Sequence, residues 1–281
     1  MKIKKRHIAD YTLYGLMALV LAGVFAILVY IIFYIIKSSA GFLNFSFLFR
    51  PVSEGGIFPM IVTTVYVVLV SIGAALPVGI ITAIFLNEYS RNTFPVRLLR
   101  LAIDTLAGIP SIIYGLFGLL VFCRLLGFGQ SIIAGSFTLS IMILPVIIRT
   151  TEESLKSIPA SFREGSLSLG ATKFQTIIHI VIPSALPGIV TSAILAVGRV
   201  VGESAPVLLT VGLTRNLPGS IFESGRTLTI HLFYLTSEAI NPDDFGMAFA
   251  TAAVLIILVL IINTATKIIS SAFSGKLKGL T

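Results

Sequence analysis

Six stretches of this chain are each long and apolar enough to cross a bilayer, and that excludes an ordinary water-soluble fold. A helix needs roughly 20 apolar residues to span the hydrocarbon core. Runs of this kind fall near residues 11–36, 58–86, 101–125, 131–149, 184–212 and 246–269. Of the 281 residues, 56% are hydrophobic and 11% charged, whereas soluble domains carry about 25% charge. Too little polar surface remains to face water on every side. Backbone groups in lipid must be satisfied within the segment, which selects helices for runs of this length. The expected fold class is an all-α membrane protein with six transmembrane helices.

Lys2, Lys4, Lys5 and Arg6 precede the first run and imitate a secretory signal. A signal's apolar core is only about 7–15 residues, but Tyr11 to Ile36 is a continuous 26-residue stretch. An uncleaved anchor helix fits better. The remaining basic residues set an orientation. With both termini cytoplasmic, fourteen of the twenty Lys and Arg fall inside, including Arg91, Arg97, Arg100, Arg149, Lys156, Arg163 and Lys173. Five fall outside (Lys37, Arg50, Arg124, Arg215 and Arg226), and Arg199 lies within a span. That asymmetry is the positive-inside rule. It also accounts for the formal charge of +8 without a nucleic-acid partner.

Within the spans, Pro77 with Gly79 and the run Gly108-Ile109-Pro110 predict kinks or interruptions. Such breaks are tolerated where protein or a water-filled path receives the freed backbone groups. Gly127-Phe128-Gly129 predicts a tight turn joining the third and fourth spans as an antiparallel hairpin. Residues 150–183 form the larger cytoplasmic piece. Residues 213–245 form an external, turn-rich loop around a short helix near Ile230 to Leu235.

The cytoplasmic piece holds the sharpest pattern. It contains Glu164-Gly165-Ser166, three residues, Gly170, nine residues, then Ile180-Val181-Ile182-Pro183. Ser161 to Leu169 permits a short helix, which Gly170 would stop in the left-handed region. This resembles the cytoplasmic loop of ABC importer permeases, whose pattern is E-A-A, three residues, G, nine residues, I-x-L-P. The departures are Gly165 and Ser166 for the two alanines and Ile182 for leucine. The resemblance implies a permease architecture of the MetI-like, type I kind, and a loop helix that couples to an ATPase through Glu164, Gly165, Ser166, Gly170, Ile180 and Pro183. An ordinary amphipathic interfacial helix is the alternative. Gly165 and Gly170 also have P-loop spacing, but Ala171-Thr172 stands where Lys-Ser/Thr would follow. ATP is therefore expected on a separate subunit.

The fifth span carries Arg199 and, four residues on, Glu203, flanked by Gly198 and Gly202, with Pro206 beyond. An arginine at mid-membrane costs roughly 2.5–3.5 kcal/mol on insertion scales and usually faces a bundle interior or aqueous cavity. Helical spacing puts both side chains on one face. Two readings fit: an ion pair that only holds helices together, or a guanidinium fork that receives a tetrahedral oxyanion. The run from Gly198 to Pro206 resembles the Gly-Arg-x-x-Gly-Glu-Thr/Ser-Ala-Pro segment of phosphate-specific ABC permeases. Asp104 to Gly118 and Leu144 to Glu153 are similar to the same family at matching places, and the likeness covers about 58–270. It implies residues 1–57 as an added first helix and loop, 58–270 as the permease domain, and 271–281 as a cytoplasmic tail. It implies a sister permease, two ATP-binding subunits, an external phosphate-binding protein and a lipid surround. Sulfate, molybdate or phosphonate is the nearest alternative substrate, and an ion-coupled transporter without an ATPase is the alternative of a different class.

Arg100 and Asp104 stand one turn apart at the start of the third span, where an interfacial pair or a gating role is expected. His7, His179 and His231 have no metal-ligand spacing, and Cys123 is alone, so neither a metal nor another cofactor is expected. No hydrolytic motif is present, and a transport subunit rather than an enzyme is expected.

Overall fold

The computed structural model describes residues 2–90, 93–239 and 242–278, with side chains described at 13–52, 54–90, 93–239 and 243–268. In chain order the helices are α1 (Lys2–Ser39), α2 (Phe45–Phe49), α3 (Phe58–Tyr89) and α4 (Phe94–Ala107). Then come α5 (Ser111–Leu125), α6 (Ile132–Lys156), α7 (Ala160–Ser168) and α8 (Lys173–Gly202). The last are α9 (Ala205–Thr210), α10 (Leu228–Ser237) and α11 (Pro242–Lys278). No strand occurs among the described residues. Five helices (α1, α3, α6, α8 and α11) are long and apolar enough to cross a membrane, and the bent pair α4–α5, counted as one broken span, makes six.

The bundle is organised around α6. Two thirds of its apolar window is buried (67%), against none of that of α1. Between lipid-facing helices the hydrophobic effect supplies no drive to associate, so close packing and hydrogen bonds must do it. The sequence of α6 meets that need with small hydroxylated residues. Ser136 Oγ donates to the Val67 carbonyl at 3.4 Å and Ser140 Oγ to that of Ser71 at 3.0 Å, both on α3. Gly79 of α3 packs under Ile147, and Gly188 of α8 under Ser154, positions with no room for a side chain. One buried cluster (Val67, Leu139, Met142, Ile143, Val197, Val200) joins α3, α6 and α8 at mid-bundle. A second (Ala83, Leu86, Ile148, Leu155, Ile158, Val181, Ala185) does so at the end bearing α7. The first helix is peripheral, with Tyr34 edge-on to Phe249 of α11 at 5.5 Å between ring centroids.

At the other end, the start of α6 lies under the segment between α9 and α10. Backbone N–H groups of Ser131, Ile132 and Ile133 donate to carbonyls of Thr210, Glu223 and Ile221 at 2.8–2.9 Å. These bonds satisfy orphan donors of a buried helix start. Ser131 caps the same turn through its side chain. The turn at Gly127-Phe128-Gly129 is as tight as expected, with φ of +72° and +61° at the two glycines.

Several boundaries differ from the sequence reading. The expected third span at 101–125 is two helices, α4 starting earlier at Phe94, with a bend of 103° to α5. Pro110 has no N–H to continue the ladder. The Leu106 carbonyl accepts instead from the Tyr114 hydroxyl at 2.7 Å and the Ile109 N–H at 3.2 Å. Pro77, by contrast, sits inside α3 without ending it. The fourth span continues past residue 149 to Lys156. The closing residues Ile180 to Pro183 are not a loop: they lie in α8, which begins at Lys173 and carries a wide π-turn over Ile177–Val181. The fifth span ends at Gly202 and resumes as α9, so 184–212 is also interrupted.

Candidate functional site

The two interrupted spans meet each other. A Cβ on Gly115 of α5 would stand 2.9 Å from Pro206 Cα and 3.3 Å from the Ala205 carbonyl oxygen at the start of α9. Two backbones pack this closely only because residue 115 is glycine. The break at 108–110 and the break at 202–204 are thereby held side by side in the bundle. Non-helical backbone at such depth is found where protein or a water-filled cavity surrounds it.

Arg199 lies in the last turn of α8, and Glu203 lies just past its end in extended conformation (φ −79°, ψ 131°). The expectation that both sit on one helix face is therefore corrected. Pro206 has no N–H for the Gly202 carbonyl, and the helix stops before it. The freed Val201 carbonyl accepts from the Thr229 hydroxyl of α10 at 2.6 Å. Arg199 Nε still approaches Glu203 Oε1, but at 3.8 Å, beyond hydrogen-bond reach. The Arg199 side chain is one third exposed (33%) and that of Glu203 half as much (17%). This is a loose pair at the rim of open space. Gly198 and Gly202 are exposed, and a Cβ on either would meet nothing within 4 Å. Instead of making room for a packed neighbour, they leave that face of α8 open. Tyr114 of α5, just beyond the first break, lies within electrostatic range of Arg199.

The second group of expected site residues is on α7 and the chain that follows. The expected helix over Ser161 to Leu169 forms as α7, and Gly170 ends it with φ +87° in otherwise open space. Glu164 and Gly165 are exposed, as are Phe162, Leu167, Leu169 and Phe174. Ser166 is buried, with its hydroxyl 2.9 Å from that of Thr176. Its departure from alanine thus adds a tie between α7 and α8. Ile180 and Pro183 are half-buried on α8 rather than beside α7.

What sequence reasoning missed is the anchor of this helix. Arg163 donates from Nη2 to Glu88 Oε1 at 2.8 Å and from Nε to the same carboxylate at 3.1 Å. Its guanidinium also donates to the carbonyls of Leu155 and Ile158 at 2.9 Å. The Glu88 carboxylate is buried (7% exposed) in the last turn of α3. One side chain therefore ties α7 to the ends of both α3 and α6. The only available signal was an acidic residue at the end of an apolar run.

The pair expected between Arg100 and Asp104 is also corrected. Arg100 binds Glu152 and Asp104 binds Arg149, so both contacts cross from α4 to α6. Lys156 joins Glu152 at 2.9 Å. The crossing of α4 over α6 brings each residue nearer to a partner there than to its own neighbour one turn away. Among the described residues, no group of three His, Cys, Asp or Glu side chains is placed to hold a metal.

Comparison with known proteins matches residues 75–279 to a family described as binding-protein-dependent transport system inner membrane component. The chain belongs to that family. Its breaks, α7 and both groups of site residues fall in the matched region. The chain is 35% identical over 97% of its length to a probable ABC transporter permease protein, YqgI, of Bacillus subtilis, covering 98% of that protein. It is 39% identical over 74% of its length to the phosphate transport system permease protein PstA of Mycobacterium leprae, covering 68% of it. Among solved structures, a subunit of a bacterial alginate ABC transporter superposes with a TM-score of 0.70 at 14% identity, over 94% of this chain and 96% of that one. A chain of the MetNI methionine ABC transporter superposes at 0.58 and 24% identity, over 77% of this chain and 94% of that one. These likenesses establish the fold of an ABC importer permease, a multi-pass inner-membrane component.

Proposed function

We propose that this permease is one half of a two-permease channel that moves inorganic phosphate into the cytoplasm by alternating access. ATP hydrolysis takes place on two separate subunits, and an external phosphate-binding protein delivers the anion. Arg199 is the observation that carries this reading. It is a partly exposed guanidinium, loosely paired at 3.8 Å, where two interrupted helices meet. Its planar fork suits paired oxygens of a tetrahedral anion, and Glu203 holds it when the path is empty. Relatives named as phosphate transport permeases support the choice of anion.

Residues 58–270 act as the permease domain, 1–57 as an added helix with its loop, and 271–281 as a cytoplasmic tail. The stretch 150–183 faces the ATP-binding subunits. The exposed Phe162, Leu167, Leu169 and Phe174 are the apolar contact surface around Glu164 and Gly165. Lipid covers the outward faces of α1 and α11. The function is tested by ATP-dependent uptake of labelled phosphate into proteoliposomes holding the assembled complex and its binding protein. Uptake should persist in tenfold excess sulfate. Competition by sulfate, molybdate or phosphonate at equal concentration would reassign the substrate, and uptake without ATP would remove the ATPase from the mechanism.

Orientation has its own test. In a Cys123→Ser background, Leu217→Cys should react with a membrane-impermeant maleimide added outside, and Ser157→Cys should react only after permeabilisation. Both positions are exposed, unlike the neighbouring Pro218, which is buried. The reverse pattern would invert the protein and end the importer reading.

A further inference from the structure

Arg226 is buried to 6% exposure, yet among the described residues no carboxylate comes within ion-pair distance of it. Its Nε has no hydrogen-bond partner. The guanidinium stacks over the Tyr234 ring at 4.5 Å, and the Glu238 carboxylate attracts it from beyond ion-pair distance. A buried guanidinium that keeps one N–H unpaired is costly, because the lost hydration of that donor is not replaced. Beside it, His231 Nδ1 is likewise buried without a partner.

These groups line one cavity of about 140 Å³, with Arg215, Glu238 and Asp244 also on its wall. At about 30 Å³ for each water, that is room for a small ligand of a few heavy atoms. Its wall carries two guanidinium groups and two carboxylates, together with the unpaired nitrogens of Arg226 and His231. Burial first, then the charge of Arg226, then that of Arg215, hold the His231 imidazole down to about 4. At neutral pH His231 is thus uncharged and can offer one N–H donor next to the two guanidinium groups. The cavity lies at the end of the bundle away from α7, against the segment that covers the start of α6. The first turn of α10 links it to the Arg199 region: Thr229, two residues before His231, donates to the carbonyl of Val201, two residues after Arg199.

We propose that Arg226, Arg215 and His231 form a second oxyanion site, at the outer mouth of the path, occupied before the anion reaches Arg199. It depends on the importer reading only for the side it faces. Free phosphate and the phosphate of an anionic lipid headgroup share the required chemistry, and the test separates them.

The assembled permease–ATPase complex, without binding protein, is placed in nanodiscs of phosphatidylcholine, and its Tm is titrated with inorganic phosphate. Phosphate should raise the Tm of the wild type and of Arg199→Gln, and Arg226→Gln should weaken that response at least tenfold in both backgrounds. Arg226→Lys should keep part of it. A response lost in Arg199→Gln and untouched by Arg226→Gln would leave the inner site standing and remove this one. If phosphate has no effect in phosphatidylcholine but phosphatidylglycerol gives an Arg226-dependent rise, the site stands and its ligand is the headgroup. Arg226→Gln complexes responding to both as the wild type does would reduce Arg226 to a strut on Tyr234. Should Arg226→Gln fail to assemble, Arg215→Gln decides. Arg215 is exposed and its loss cannot unfold the bundle, so an unchanged response there overturns the proposal.

Discussion

Replacing Arg199 with glutamine should cut phosphate uptake by roughly ten- to a hundredfold, the loss expected when charged hydrogen bonds worth about 1.5–3 kcal/mol are removed. The subunit should still insert, assemble and support ATP hydrolysis. Glu203→Gln should do much less, because at 3.8 Å it is a tether and not a hydrogen-bonded partner. Exposed and loosely held pairs contribute about 0–1 kcal/mol, so neither single change should threaten the fold. The deciding measurement is uptake by the Arg199→Gln, Glu203→Gln double variant at matched expression. Were the pair only structural, each single change would strand a charge and the double change would relieve it. Near-normal transport by the double variant would therefore exclude Arg199 as the anion's ligand.

The second large effect is expected at Arg163. Arg163→Ala removes every bond that joins α7 to Glu88, Leu155 and Ile158 and leaves the buried Glu88 carboxylate unpaired. Breaking a buried pair in this way costs about 3–5 kcal/mol locally. The complex should still hydrolyse ATP at a basal rate, but loaded binding protein should no longer stimulate it, because motion of α7 is not passed to α3 and α6. Arg163→Lys should fall between, keeping the charge but losing the fork that reaches a carboxylate and two carbonyls together. A complex with Arg163→Ala that still responds to loaded binding protein in full would show that α7 transmits through some other contact. If Arg163→Ala fails to assemble, Glu88→Gln offers the same test with less disturbance, since it keeps a hydrogen-bond acceptor at the same place.

Membrane insertion and the number of crossings were legible because length and apolarity act locally: a run of some 20 such residues has no other stable home. The ends of α7 were legible for a similar reason, since Gly170 needs no partner to take a positive φ. Pro110 marked where a ladder must fail, for it lacks the N–H its helix would need. Pro77 raised the same expectation and sits inside an unbroken α3, and the break before Pro206 was not foreseen. The consequence at Pro110 was not legible. A missing donor says that a helix is interrupted, not by what angle, and the 103° turn between α4 and α5 could not be read from it.

Pairing was decided only by tertiary structure. Arg100 and Asp104 are one turn apart in sequence, yet each finds its partner on α6. Glu88 and Arg163, 75 positions apart, carry no pattern that links them. Charges interact through space, with a strength set by distance and by how much water remains between them, and sequence separation measures neither. The sequence by itself determined that this chain is a helical membrane protein, that a helix breaks at Pro110, and which residues carry unusual charge. The packing of α6 against α3 and α8, through glycines and hydroxyls that let backbones approach, decided which breaks meet and which charges find each other.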